Sequence, residues 1–138
     1  MRLWHKDLIP VLPRQQLTGQ WRELALIARD ILNDGKTNHI LVNKIMDYPL
    51  EHFSTYASLI YSEMQNRNYK VKDEVRDRIY SVGNNHRTVL YDDLFDSWHT
   101  FGYLRQCYYN LEEKYDCDGI SEEEWKQIKN KITCEVFD

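Results

Sequence analysis

Near the start of the chain, an amine, a carboxylate and two guanidinium groups could take part in chemistry. They are the α-amine of Met1, the carboxylate of Glu23, and the side chains of Arg22 and Arg29. An unperturbed α-amine has a pKa of about 7.7–8.0, so an appreciable fraction is neutral near pH 7. A neutral amine forms Schiff bases with sugar carbons and aldehydes, and a nearby carboxylate can transfer protons. Because every chain has an amine, this combination alone does not establish a site.

An amphipathic helix is predicted for residues 14–32, the stretch that carries the carboxylate and both guanidinium groups. Its apolar residues recur at intervals of four and three, the spacing of one buried helix face. They are Leu17, Trp21, Leu24, Ala28 and Ile31. Pro13 stands where a helix can begin without losing a hydrogen bond, and Gly35 follows as a C-terminal stop. This apolar face is expected to lie in the core.

The opposite face of the same helix is charged. At about 100° per residue, Arg22 and Arg29 lie within about 20° of each other, and Glu23 lies about 100° further round. Gly19 is in line with Glu23 one turn earlier, although glycine inside a helix costs roughly 1 kcal/mol against alanine. This face is therefore either a solvated charged surface or a place where a ligand approaches closely beside Glu23.

The composition indicates a folded helical protein. The 138 residues are 42% hydrophobic and 29% charged, which suits one domain, residues 1–138, with one core. No apolar run approaches the roughly 18 residues of a membrane span, and no signal peptide is recognisable, so a cytoplasmic location is expected. The net charge of −4 argues mildly against nucleic acid, but residues 1–48 hold seven basic and five acidic side chains. A local basic patch can therefore form in this part of the chain.

The apolar patterns predict an all-α fold, a compact bundle of about four to five helices with an ordered N-terminal segment at residues 1–12. Helical spacing predicts further helices over 49–67, 72–82, 92–115 and 122–132, the last capped by Ser121 and Glu124. Residues 40–48 are compatible with either a short helix or a strand, and residues 83–85 predict a turn.

No metal or cofactor site is predicted. The three cysteines are well spaced and odd in number, which indicates free thiols. None of the five histidines forms a helical metal-binding pair. Asp116, Asp118 and Gly119 resemble part of a calcium loop, but Lys114 and Trp125 would then occupy positions that need carboxyl oxygens. Ordinary turn chemistry accounts for this segment better.

Three segments of the first half, in order, resemble the pyrimidine dimer DNA glycosylases of the phage endonuclease V type. The stretch 15–24, Q-Q-L-T-G-Q-W-R-E-L, is similar to the family's N-terminal helix of the form Q-x-L-x-x-x-aromatic-R-E-L. Residues 34–39, with Asp34-Gly35-Lys36 and then His39, are similar to two short family segments. Residues 67–71, R-N-Y-K-V, resemble its R-G-F-x-I turn. The resemblance implies an all-α enzyme that excises damaged pyrimidines from DNA.

The resemblance also implies roles for particular residues. The N-terminal amine attacks C1′ of the sugar, and since Arg2 is too bulky to permit removal of Met1, that amine is expected to be the one of Met1. Glu23 falls on the family's essential glutamate, which handles protons. DNA contacts are expected at Arg2, Arg22, Arg29 and Lys36. The implied partner is double-stranded DNA with a damaged or abasic site, bound by a monomer without metal or cofactor.

Two other functions are compatible with the sequence. A non-catalytic helical module could bind DNA or protein through the face of Arg22 and Arg29. An enzyme acting on a free nucleoside or another aldehyde-bearing small molecule could use the same amine, and would suit the acidic charge. Salt dependence separates them, because DNA binding weakens steeply with salt.

Overall fold

In the computed structural model, which describes residues 1–83 and 87–136 and side chains up to residue 132, every regular element is a helix. Five are α-helices: α1 (Arg14–Asp34), α2 (Glu51–Asn66), α3 (Asp73–Tyr80), α4 (Phe101–Asp116) and α5 (Glu122–Val136). Three are 3₁₀ helices, over Lys6–Val11, Ile40–Asp47 and Tyr91–Asp93. The prediction of an all-α fold is confirmed, and the 3₁₀ helix over Ile40–Asp47 resolves the segment that sequence patterns left open.

Helix α1 packs against both α2 and α3. It begins after Pro13 and ends at Gly35, whose φ of 75° is left-handed and whose N–H donates to the carbonyl of Ile31 at 2.8 Å. Glycine adopts this left-handed conformation at little energetic cost because it has no Cβ atom. All five apolar residues of the predicted face are buried, so this helix agrees with its prediction except that it extends to Asp34.

The N-terminal segment is ordered, as predicted, and forms part of the core. Its buried side chains are those of Leu3, Trp4, Leu8, Ile9 and Leu12. Arg67, at the end of α2, ties the segment down by donating to the carbonyl of Leu12 at 2.8 Å and to that of Pro10 at 3.2 Å. Burial of these apolar groups together with the backbone contacts explains why this terminus does not fray.

The predicted helix over residues 92–115 is wrong in its first third. The chain instead forms a short 3₁₀ helix, Tyr91–Asp93, then passes through Phe95 with a left-handed φ of 48° before α4 starts at Phe101. The hydroxyl of Thr100 accepts from the backbone N–H of Tyr103 at 3.2 Å and caps α4. The break brings His99 beside His5 of the N-terminal segment, with ring centroids 5.0 Å apart.

The remaining predictions agree with the structure within a few residues. Ser121 and Glu124 form the expected reciprocal cap, with the Ser121 hydroxyl 3.2 Å from the Glu124 backbone nitrogen. Helix α5 extends to Val136, four residues beyond the predicted end. Asn84 and Asn85, in the predicted turn, lie outside the described residues, as does His86. None of the described helices is long and apolar enough to cross a bilayer.

Candidate active site

The first residues of the chain are fixed to α1 by the side chain of Gln20, which is 1% exposed. Its Nε2 donates to the carbonyl of Arg2 at 2.9 Å and to Oε2 of Glu23 at 3.0 Å. Its Oε1 accepts from the backbone N–H of Trp4 at 2.8 Å. One buried amide therefore holds both the N-terminal backbone and the Glu23 carboxylate.

Two tyrosines complete this attachment from other helices. The hydroxyl of Tyr56 on α2 donates to the carbonyl of Trp4 at 2.6 Å, and it lies 3.0 Å from Oε1 of Gln20. The hydroxyl of Tyr103 on α4 donates to the carbonyl of Leu3 at 2.5 Å. Burial raises the pKa of both hydroxyls far above the ordinary value, so both remain protonated donors. Three helices thus converge on the backbone next to the Met1 amine.

Glu23, on α1, is half-buried. Burial raises the pKa of its carboxyl because the charged form is desolvated. Three positive charges oppose that rise: the Met1 amine has the largest effect, followed by Arg22 and then Lys114 of α4. Among these charges the α-amine therefore has the strongest influence on the Glu23 carboxyl.

This arrangement is suited to chemistry at an electrophilic carbon. The amine can attack such a carbon, and a carboxylate with a raised pKa can accept and return protons nearer neutral pH than an ordinary glutamate. A carboxylate also stabilises a cationic imine electrostatically. Among residues 1–83 and 87–132 there is no group of three metal-ligating side chains.

The predicted DNA contacts are not all in one place. Arg22 is exposed and adjoins Glu23, whereas the half-buried Arg2 has its guanidinium 5.7 Å from the ring of Trp4. Arg29 is exposed and forms an ion pair with Asp30, with Nη2 3.4 Å from Oδ1. Lys36 is exposed just beyond the C-terminal end of α1. Arg2 follows the amine in the chain and Arg22 adjoins Glu23, whereas Arg29 lies further along α1 and Lys36 lies beyond its end.

Sequence reasoning missed several members of this site. Gln20 could have been noticed, because at about 100° per residue it lies within about 60° of Leu17 and Leu24 on the apolar face. A polar residue on a buried face is expected to be hydrogen-bonded. Lys114, considered only as a position in a calcium loop, and Tyr103 come from α4, and no local spacing connects them to the N-terminus.

Comparison with known proteins gives one match. A sequence model of the family described as pyrimidine dimer DNA glycosylase matches residues 1–77. No curated protein and no solved structure matches the chain. The matched range, more than half of the chain, contains the N-terminal segment, α1 and Gln20.

Proposed function

The chain belongs to the pyrimidine dimer DNA glycosylase family, and from this premise we propose that it is a DNA repair glycosylase with abasic-site lyase activity. The proposed nucleophile is the α-amine of Met1, and the proposed proton-transfer group is Glu23. Arg2, Arg22, Arg29 and Lys36 are the proposed phosphate contacts. The substrate is double-stranded DNA with a damaged pyrimidine or abasic site, and the enzyme acts as a cytoplasmic monomer without a cofactor.

The first step replaces the damaged base. The neutral Met1 amine attacks C1′ of the sugar, and a C–N bond to the protein forms as the glycosidic C–N bond breaks. The base leaves with the bonding electron pair and gains a proton, while the amine loses one to Glu23. The sugar ring then opens between C1′ and its oxygen, which takes up the proton that Glu23 returns, and a protonated imine remains at C1′ beside the regenerated carboxylate.

The second step cuts the strand. The protonated imine makes the hydrogens on C2′ acidic, so a base removes one of them. The electron pair of that C–H bond forms a double bond between C2′ and C3′, and the 3′ phosphate leaves with the electrons of its C–O bond. Water then hydrolyses the imine and restores the free amine. Glu23 is proposed to stabilise the imine cation between these steps.

The observation that supports this proposal best is that the Met1 amine is the strongest positive influence on the pKa of the half-buried Glu23 carboxyl. The Gln20 amide supports it further, because it hydrogen-bonds both the segment that carries the amine and the carboxylate. A nucleophile and a proton-transfer group held in one frame gain from fixed orientation.

Borohydride trapping tests the proposal directly. Reducing the protein in the presence of abasic-site duplex should give a covalent adduct, and peptide mapping should locate it at Met1. Selective acetylation of the α-amine should abolish the adduct. Glu23→Gln should lower strand cleavage by about 10²- to 10⁴-fold, the usual contribution of a proton-transfer group.

Glu122→Gln is the matched control, because this glutamate is exposed at the start of α5, outside the described site. It should leave cleavage unchanged. Strand cleavage that survives both acetylation and Glu23→Gln would contradict the mechanism. Duplex binding without any adduct in the unmodified protein would favour the non-catalytic module instead.

A further inference from the structure

A groove runs along α1 on the side of Arg22. It consists of two adjoining depressions of about 550 Å³ and 570 Å³, and Trp21, Arg22 and Lys70 line both of them. One wall is α1, and the other is the chain from the end of α2 to α3, residues 64–75. The backbone turns sharply there because Asn68 has a left-handed φ of 62° and Tyr69 donates to the carbonyl of Met64 at 2.9 Å.

The charge of this groove is opposite to that of the chain. Five cationic side chains line it, and none of its lining residues in the described structure is acidic; the cations are Arg14, Arg22, Arg67, Lys70 and Lys72. The whole chain has a net charge of −4. Positive charge is therefore concentrated on one concave surface, where it attracts a polyanion most strongly.

Three of the five cations can turn to a ligand without breaking a contact. Arg22, Lys70 and Lys72 are exposed and form no ion pair within the described residues. Arg67 is occupied, since its Nε donates to Glu63 at 2.8 Å and its other nitrogens bind backbone carbonyls. The exposed Arg14 is held more loosely, by stacking with its Cζ 4.8 Å from the ring centre of Tyr69.

An apolar strip lines the second depression together with Arg22, Lys70 and Lys72. It is formed by Trp21 and Ala25 of α1 and by Val71 and Val75 opposite them, with the 44% exposed Leu26 at its edge. Cations that flank an apolar strip match a nucleic acid strand, whose phosphates alternate with apolar sugar faces. An acidic peptide matches the charge but not this alternation.

We propose that this groove binds the backbone of a DNA strand, with Arg14, Arg22, Lys70 and Lys72 on successive phosphates. The inference rests on the proposed function, because Arg22 adjoins Glu23 and so would link the bound strand to the reacting nucleotide. It places three phosphate contacts, Arg14, Lys70 and Lys72, where none was predicted. It also accounts for DNA binding by a chain whose net charge is negative.

The test is the salt dependence of binding to an undamaged 20-base-pair duplex. Each lost phosphate contact lowers the slope of log K against log salt by about 0.9. Lys70→Ala with Lys72→Ala should therefore reduce the slope by about 1.8, and binding at low salt should weaken. The matched control is Lys126→Ala with Lys129→Ala, two exposed lysines of α5 that line neither depression, and it should keep the slope.

Two results would overturn the groove proposal. One is an unchanged slope in the Lys70 and Lys72 variant, or an equal reduction in the control. The other is wild-type protein that binds an oligoglutamate peptide more tightly than the duplex at the same salt, which would indicate a protein partner. Neither result bears on borohydride trapping, so failure of the groove and failure of the amine mechanism are distinguishable.

Discussion

The side-chain amide nitrogen of Gln20 is 3.0 Å from the carboxylate of Glu23, and the same nitrogen is 2.9 Å from the carbonyl of Arg2. Both are donor contacts of one group that is almost completely buried. A single side chain therefore links the carboxylate directly to the N-terminal backbone. A change at Gln20 should disturb the chemistry before it disturbs the fold.

Gln20→Glu should lower the rate of borohydride trapping by about tenfold. The new carboxylate keeps the acceptor for Trp4 but loses both donors, and a lost buried hydrogen bond costs about 1–3 kcal/mol. A second negative charge beside Glu23 also raises the pKa of that carboxyl further. The limb of the pH–rate profile that depends on Glu23 should shift to higher pH, which a purely structural role of Gln20 would not cause.

Gln15→Glu is the control for this experiment, because Gln15 is exposed on the same helix. It adds the same charge without removing a contact to the N-terminal segment. A pH–rate profile that shifts equally in both variants would mean that general charge, and not the position of Gln20, is responsible.

Glu23→Gln should stabilise the fold at neutral pH. Burial raises the pKa of Glu23 in the folded protein, so the folded state binds this proton more tightly than the unfolded state. The stabilisation that this group contributes is therefore complete below the pKa of an ordinary glutamate. It is lost as the pH rises through the higher pKa of the folded state. Removing the charge should thus increase the free energy of unfolding at pH 7, with the gain shrinking toward pH 4. Urea unfolding at both pH values measures it, and a gain that grows on acidification would contradict it.

Much of the fold follows from the sequence because its signals are local. The apolar face of α1, the left-handed Gly35 and the Ser121–Glu124 cap each depend on residues within a few positions of one another. The break before α4 does not depend on local signals. Helical spacing runs through Trp98, and tertiary contacts keep residues 94–99 out of the helix, with the N–H of Phe95 donating to Nδ1 of His52 at 3.1 Å.

The candidate site was predictable only in part, for the same reason. Glu23 and Arg22 are carried by a recognisable helix, and every chain has an N-terminal amine. The position of the N-terminal backbone beside α1 depends on the carbonyls of Trp4 and Leu3, which Tyr56 and Tyr103 bind from 52 and 100 residues away. Side-chain bonds to distant backbone leave no periodic pattern in a sequence.

Gly19→Ala should stabilise the protein and slow the reaction. A methyl group at Gly19 would meet only Nη2 of Arg22, at 3.8 Å, which is ordinary contact, so the fold does not need glycine there. Helix propensity alone should raise the free energy of unfolding by up to about 1 kcal/mol. If the space beside Glu23 is used by the sugar, the methyl group should lower the trapping rate. Thermal unfolding and trapping kinetics measure the two effects.

Gly102→Ala in α4 is the matched control, because the added methyl group would have as its nearest neighbour the Thr100 hydroxyl at 3.7 Å. It should leave the trapping rate unchanged. A Gly19→Ala variant that is more stable and reacts at the wild-type rate would show that no ligand approaches this turn of α1.

Acid should weaken the attachment of the N-terminal segment through the buried pair His5 and His99. Nδ1 of His99 accepts from the backbone N–H of Lys6 at 3.0 Å, and Nε2 of His5 lies 3.0 Å from the carbonyl of His99. Nδ1 of His5 in turn accepts from the N–H of Asp7, so both rings are neutral with the proton on Nε2. Burial lowers the pKa of His99 to about 2 and also lowers the pKa of His5.

Since both folded values lie below the ordinary one, the stability from these histidines is present above about pH 6.5 and is lost as pH falls below it. Between pH 7 and pH 5 the free energy of unfolding should fall by about 2 kcal/mol through His99 alone, because this imidazole is protonated in the unfolded chain and stays neutral in the folded one. His99→Asn retains an acceptor for Lys6 but cannot titrate, so its unfolding free energy, although lower, should depend less steeply on pH. An equally steep dependence in this variant would mean that other groups cause the acid sensitivity, and the His5–His99 contact would then only fill space beneath the Met1 segment.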